Sequence, residues 1–141
     1  RRGTPLALSD LVAEVTGATP VFEAEQICAL FEGDVEAVRE LLALVVGDLP
    51  TYMRKLAASA ASGDLASAAR DAHRIKGTVL NVGAAALAEL CEATEQAARQ
   101  GSADLAPLIE RMRIETDVLL AALTAWDRTL SGATVRESQR L

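Results

Sequence analysis

"DVEAVRELLALVVGDLPTYMRKLAASAASGD", residues 34–64, is the stretch that decides the fold. Val38, Leu42, Val45, Leu49, Tyr52 and Leu56 recur at spacings of three and four, which puts them on one stripe of an α-helix. Pro50 interrupts that stripe. A proline lacks the N–H and clashes with the preceding turn, so the helix is expected to kink or divide there. Gly63 suits a helix C′ position and Asp64 the N-cap of the next helix.

The pattern repeats downstream. A second helix is expected from about Leu65 to Val82, ending at Gly83. A third, "AAALAELCEATEQAARQG" (84–101), would bury Leu87, Leu90, Cys91 and Thr94 and end at Gly101. The fourth starts near Asp104, with Pro107 tolerable in its first turn, and carries a stripe of Leu105, Ile109, Met112, Thr116, Leu119, Leu123, Trp126 and Leu130. Four amphipathic helices joined by short turns bury their stripes most simply as an antiparallel bundle.

The expected fold is therefore all-α, an antiparallel four-helix bundle over 21–130 with one or two short N-terminal helices. "VFEAEQICALF" (21–31) reads as a short helix capping the bundle, and "LSDLVAEV" (8–15), within 1–20, as another or as linker. The polar "SGATVRESQRL" (131–141) reads as a flexible, frayed tail.

Composition narrows the function. Half the residues are hydrophobic, yet there is one Trp, one Tyr and two Phe, and no alternating β-branched run, which speaks against strands. A formal net charge of −6, with basic residues occurring singly or in short pairs, argues against nucleic acid and against direct membrane contact. Cys28 and Cys91 lack metal-ligand spacing and sit in apolar context, so both read as reduced core thiols of a cytoplasmic domain. One histidine without Glu-x-x-His elements gives no metal site, and no glycine-rich loop is present to bind ATP. No apolar stretch reaches the ~18–20 residues of a membrane span.

That one histidine lies in "DAHRIKGTVLNVGA" (71–84). At 100° per residue, Leu65, Ala68, Ala72, Ile75, Val79 and Val82 cluster on one side of the helix, facing the core. His73, Lys76, Gly77 and Leu80 share the other, flanked by Ala66, Ala69 and Arg70. Glycine costs about 1 kcal/mol against alanine in a helix, so Gly77 needs a reason. On face geometry alone, an ordinary surface histidine beside a tolerated glycine is an equal reading. The combination of nucleophile, cation at i+3 and missing side chain at i+4 favours function.

The segment "AHRIKGTVLNVGAAALAELCEATEQAAR" resembles the histidine phosphotransfer (HPt) domain of bacterial phosphorelays. The family pattern is a His, Lys-Gly at the third and fourth positions after it, a Gly six residues later, then a Leu and a small or Cys residue on the next helix. His73, Lys76, Gly77, Gly83, Leu87 and Cys91 match it. The resemblance implies a phosphorelay intermediate: His73 Nε2 accepts a phosphoryl group from a receiver-domain aspartate and passes it to the aspartate of a response regulator. The domain would be a monomeric carrier without kinase activity and without a cofactor, any Mg²⁺ belonging to the receiver. The first residues lack Met, and the expected parent is a hybrid sensor histidine kinase, anchored in the inner membrane, with this domain at its C-terminus.

Lys76 is then either a cation for the phosphoryl oxygens or a snorkelling surface lysine, and Gly77 opens the approach to the imidazole. Many family members carry a glutamine facing the imidazole, and Glu95 stands at that position here, with Gln96 beside it. A carboxylate there would repel a phosphoryl group, unless it pairs with Arg99 at i+4. Ala66, Ala69, Arg70 and Leu80 are the expected partner-docking residues. The competing reading is a non-catalytic interaction bundle with an inert histidine. A kinase dimerisation domain fits less well, because Arg74 stands where those domains carry a carboxylate.

Overall fold

The computed structural model describes residues 21–139, with side chains as far as residue 133. "LSDLVAEV" and the rest of 1–20 lie outside the described residues. Among the described residues five helices follow one another: α1 (Ala24–Leu30), α2 (Val35–Ala61), α3 (Leu65–Leu80), α4 (Ala85–Gln100) and α5 (Leu105–Gln139). No strand occurs among the described residues. Around the bundle α2 packs against α3 and α5, and α4 closes the ring against the same two helices.

The helix starts follow from capping chemistry. Asp34 accepts from the Ala37 N–H at 3.2 Å and Asp64 from the Ser67 N–H at 3.1 Å, each satisfying one of the free donors of a first turn. The α4 start at Ala84 has no side-chain cap. Its position comes from the turn before it, where the Ala84 N–H donates to the Val79 carbonyl at 3.0 Å.

Between α2 and α5 the interior is built from Val38, Leu42, Val45, Leu49 and Leu56 against Met112, Leu119, Leu123, Trp126 and Leu130. Fully burying one such leucine contributes about 1.5–3 kcal/mol. α1 closes one end as expected: Phe22 and Ile27 are buried, and the Phe22 ring lies 5.4 Å from that of Trp126.

The structure departs from the sequence reading at several points. Pro50 sits inside an uninterrupted α2, half-buried, so the helix is not divided there. Losing one N–H leaves the rest of the helical ladder in place, and Leu49 and Met53, buried on either side of Pro50, keep the segment against the core. Met53, not Tyr52, continues the buried stripe, while Tyr52 lies at the edge with the Arg74 guanidinium 5.3 Å from its ring centroid. The stretch read as a frayed tail from Ser131 continues α5 to Gln139, and Ala133 still packs against the core. Leu65, expected inside, is exposed, and Ala69, expected at the surface, is 3% exposed. Cys91 is buried as expected, but Cys28 only half so. Burial, with Glu25 adding to it, pushes the Cys28 thiol up to about 11, and burial pushes Cys91 up to about 12.

Gly83 holds α1 and the α3–α4 turn together. Its φ is +68°, and a Cβ added there would meet the Cβ of Glu23 at 2.6 Å. The Glu23 N–H donates to the neighbouring Val82 carbonyl at 2.9 Å, so the two backbones touch with no room for a side chain. Gly83→Ala is expected to lower the unfolding free energy by about 2–4 kcal/mol, combining left-handed strain with overpacking. Urea unfolding checks it; a loss under about 1 kcal/mol would mean that α1 simply moves aside.

Candidate functional site

The candidate site is a ladder of side chains across the outer groove between α3 and α4. The tight turn at Gly83 makes these helices antiparallel neighbours, so one turn forward on α3 matches one turn back on α4. His73 therefore faces Glu95, and Lys76, one turn on, faces Glu92. His73 Nδ1 lies 3.1 Å from Glu95 Oε1, and Lys76 Nζ donates to Glu92 Oε1 at 2.6 Å.

Each carboxylate uses its second oxygen for the residue four positions on in α4. Arg99 donates to Glu95 Oε2 at 2.5 Å and Gln96 Nε2 to Glu92 Oε2 at 3.2 Å. The two rungs share one construction, the first holding an imidazole and the second an ammonium.

Burial separates their roles. The Glu95 side chain is 7% exposed, whereas that of His73 is 66% exposed. Burial pushes the Glu95 carboxyl up, but hydrogen bonds from Arg99 and His73 outweigh it and hold the group below the ordinary carboxylate range. Glu95 is therefore ionised at neutral pH and can only accept. Nδ1 must then carry the proton, and in the neutral ring the lone pair is left on Nε2. A buried carboxylate orienting one ring nitrogen so that the other can react is the arrangement of the Ser-His-Asp triad.

The depressed Glu95 carboxyl has a consequence for stability. A carboxyl lowered by folding contributes stability that is complete above its unfolded pKa and is lost as pH falls through its folded one. Glu95→Gln removes that contribution. Urea unfolding between pH 7 and pH 2 is expected to show a shallower acid-side loss in the variant than in the parent. Equal slopes would mean that Glu95 is not held ionised by Arg99 and His73.

Of the residues singled out in the sequence, the structure brings together His73, Lys76, Glu95, Gln96 and Arg99. Glu95, and not Gln96, faces the imidazole; Gln96 is exposed and braces Glu92. Gly77 is exposed, and a Cβ placed on it would meet nothing within 4 Å. Ala66, Arg70 and Leu80 are exposed, Leu80 to 46%, and by helix periodicity share the His73 side of α3; Arg70 donates to the Ser67 hydroxyl at 2.9 Å. Ala69, one turn before His73, drops out of the surface, being only 3% exposed. The residue that sequence reasoning missed is Glu92, the partner of Lys76. Its signal was the same antiparallel register that pairs His73 with Glu95.

Lys76 with Glu92 and Arg99 with Glu95 form two neutral pairs, while Arg70, bonded to the Ser67 hydroxyl, is a further cation on this face of α3. Glu92 is held below the ordinary carboxylate range by hydrogen bonds from Lys76 and Gln96, and the Lys76 ammonium is raised by its hydrogen bond to Glu92. Among the described residues no group of three or more His, Cys, Asp or Glu could hold a metal ion. No helix among them is long and apolar enough to cross a membrane.

Comparison with known proteins gives two findings. The sequence model of the Hpt domain family matches residues 40–127, which include the whole ladder. The fold is similar to the crystal structure of histidine-containing phosphotransfer protein B (HptB) from Pseudomonas aeruginosa PAO1. The TM-score is 0.70 at 27% sequence identity, with 81% of this chain and 97% of that chain covered. No curated protein matches the sequence.

Proposed function

We propose, on the premise that this chain belongs to the Hpt domain family, that His73 is the phosphoryl-accepting residue of a phosphorelay intermediate. Membership gives the chain a phosphotransfer role in two-component signalling. The finer reading is that Nε2 of His73 takes a phosphoryl group from a receiver-domain aspartate and returns it to the aspartate of a response regulator. One observation carries it: the imidazole is fixed through Nδ1 by a buried carboxylate while the ring stays largely in solvent.

In the forward step the Nε2 lone pair attacks phosphorus. The Nε2–P bond forms as the acyl O–P bond breaks, and the aspartate carboxylate leaves with the bonding electrons. Nδ1 keeps its proton, so the ring becomes cationic, and the Glu95 carboxylate beside Nδ1 stabilises that charge without entering the path of the phosphoryl group. Arg99 balances Glu95 and limits its repulsion of the incoming phosphate. No general base is needed, because neutral imidazole already offers a lone pair. In this reading any Mg²⁺ sits on the receiver, and the face around Gly77, Ala66, Arg70 and Leu80 is where the receiver docks.

The test is direct transfer. Mixed with a phosphorylated cognate receiver domain, the protein should gain one acid-labile, alkali-stable phosphoryl group as the receiver loses its own. If the receiver's phosphate is lost only to water, at the rate seen without this protein, the reading is wrong.

A further inference from the structure

We infer that Glu92 is a positioning residue that holds Lys76 in reserve and competes with the phosphoryl group for it. The inference rests on the carrier reading of His73. Lys76 stands one turn from the imidazole, where its ammonium would be the natural counter-ion of a phosphoryl group on Nε2. In the free protein it is already engaged, donating to Glu92 at 2.6 Å.

Glu92 is itself held for that task. Gln96 occupies its second oxygen, and the rung copies the one that buried Glu95 builds for His73 with Arg99. The difference lies in exposure. Glu95 is 7% exposed and fixed, whereas the Glu92 side chain is 45% exposed, and an ion pair in contact with water can break at little cost.

Each of these two pairs is neutral, so beyond the charge on the ring itself and Arg70, which is bonded to the Ser67 hydroxyl, a phosphoryl dianion on Nε2 meets no further positive charge. Lys76 supplies it only by leaving Glu92, which is then left bonded to Gln96 and water. Phosphorylation therefore works against the Lys76–Glu92 pair, and departure of the phosphoryl group restores it. The pair acts as a spring that shortens the life of the phosphohistidine, a useful property in a carrier that must pass its load on.

Potassium phosphoramidate tests this without a partner protein, because a small P–N donor needs no docking surface. Phosphohistidine formation and lifetime are read by ³¹P NMR in the parent, Glu92→Gln, Lys76→Ala and the double variant. Glu92→Gln is expected to form phosphohistidine faster and keep it longer by about fivefold, the upper range for an exposed ion pair. Lys76→Ala should do the opposite, and adding Glu92→Gln to it should give a clearly smaller gain than in the parent, since only the direct field of the Glu92 charge, and not the release of Lys76, is then left to act. A Glu92→Gln protein indistinguishable from the parent, or a double variant that keeps the whole gain, would overturn the inference while leaving the carrier reading intact. A parent protein that takes up no phosphoryl group on His73 would remove the carrier reading, and this one with it.

Discussion

His73→Gln is expected to abolish phosphoryl uptake while leaving the helical bundle folded. The ring is 66% exposed, so its replacement empties no core space, and exposed substitutions usually change stability by no more than about 0.5 kcal/mol. Glu95 keeps its hydrogen bond and ion pair with Arg99, so that buried carboxylate is not left without a partner. What disappears is the lone pair on Nε2. An amide nitrogen is not a nucleophile at neutral pH, and no second histidine exists to take over. The other nucleophile nearby, Cys91, is buried, with its thiol pushed up to about 12, and is unreactive for that reason. Transfer from a phosphorylated receiver should therefore fall by at least about a thousandfold, or ~4 kcal/mol of barrier. Circular dichroism should show unchanged helicity. A folded His73→Gln protein that still acquired acid-labile phosphate would move the acceptor elsewhere and dismantle the proposed mechanism.

Much of this was legible in the sequence because helix chemistry is local. Asp34 and Asp64 satisfy their own first turns, and the three- and four-residue spacings of Val38 to Leu49 leave one buried face available. What escaped was whatever two helices decide jointly. After Leu49, both Tyr52 and Met53 fit the helical period, and periodicity cannot choose between steps of three and four. Packing chose the unbranched thioether for the interior and left the phenol at the edge, where its hydroxyl can stay wet. Ala69 and Leu65 traded places for a similar reason, since the buried arc of α3 is set by where α4 and α2 lie and not by hydropathy. The candidate site divides in the same way. His73, Lys76 and Gly77 share one helix face and could be read together, but Glu92 becomes a site residue only once α3 and α4 are set in register.

Gly77→Gln is the variant for which stability and function are expected to move in opposite directions. Nothing lies within 4 Å of a Cβ at that position, so the new side chain meets no obstacle in the free protein. Replacing an exposed mid-helix glycine by glutamine should then stabilise the bundle by roughly 0.5–1 kcal/mol, through helix propensity alone. Transfer from a receiver should nevertheless slow by about a hundredfold. The glutamine projects from the turn that follows His73, and a displacement of ~1 Å in the reacting groups is enough for a loss of that size. Phosphoramidate separates the causes, because it reaches Nε2 without laying a protein surface on α3. Its rate should stay near that of the parent, while the receiver-dependent rate collapses. If both rates fell together, the glutamine would be shielding the imidazole itself, and Gly77 would not be a docking residue. If neither fell, the glycine would be incidental to transfer. The expected split, with a more stable protein that small donors still phosphorylate and receivers do not, would mean that this helix gives up stability at Gly77 for close approach by a partner.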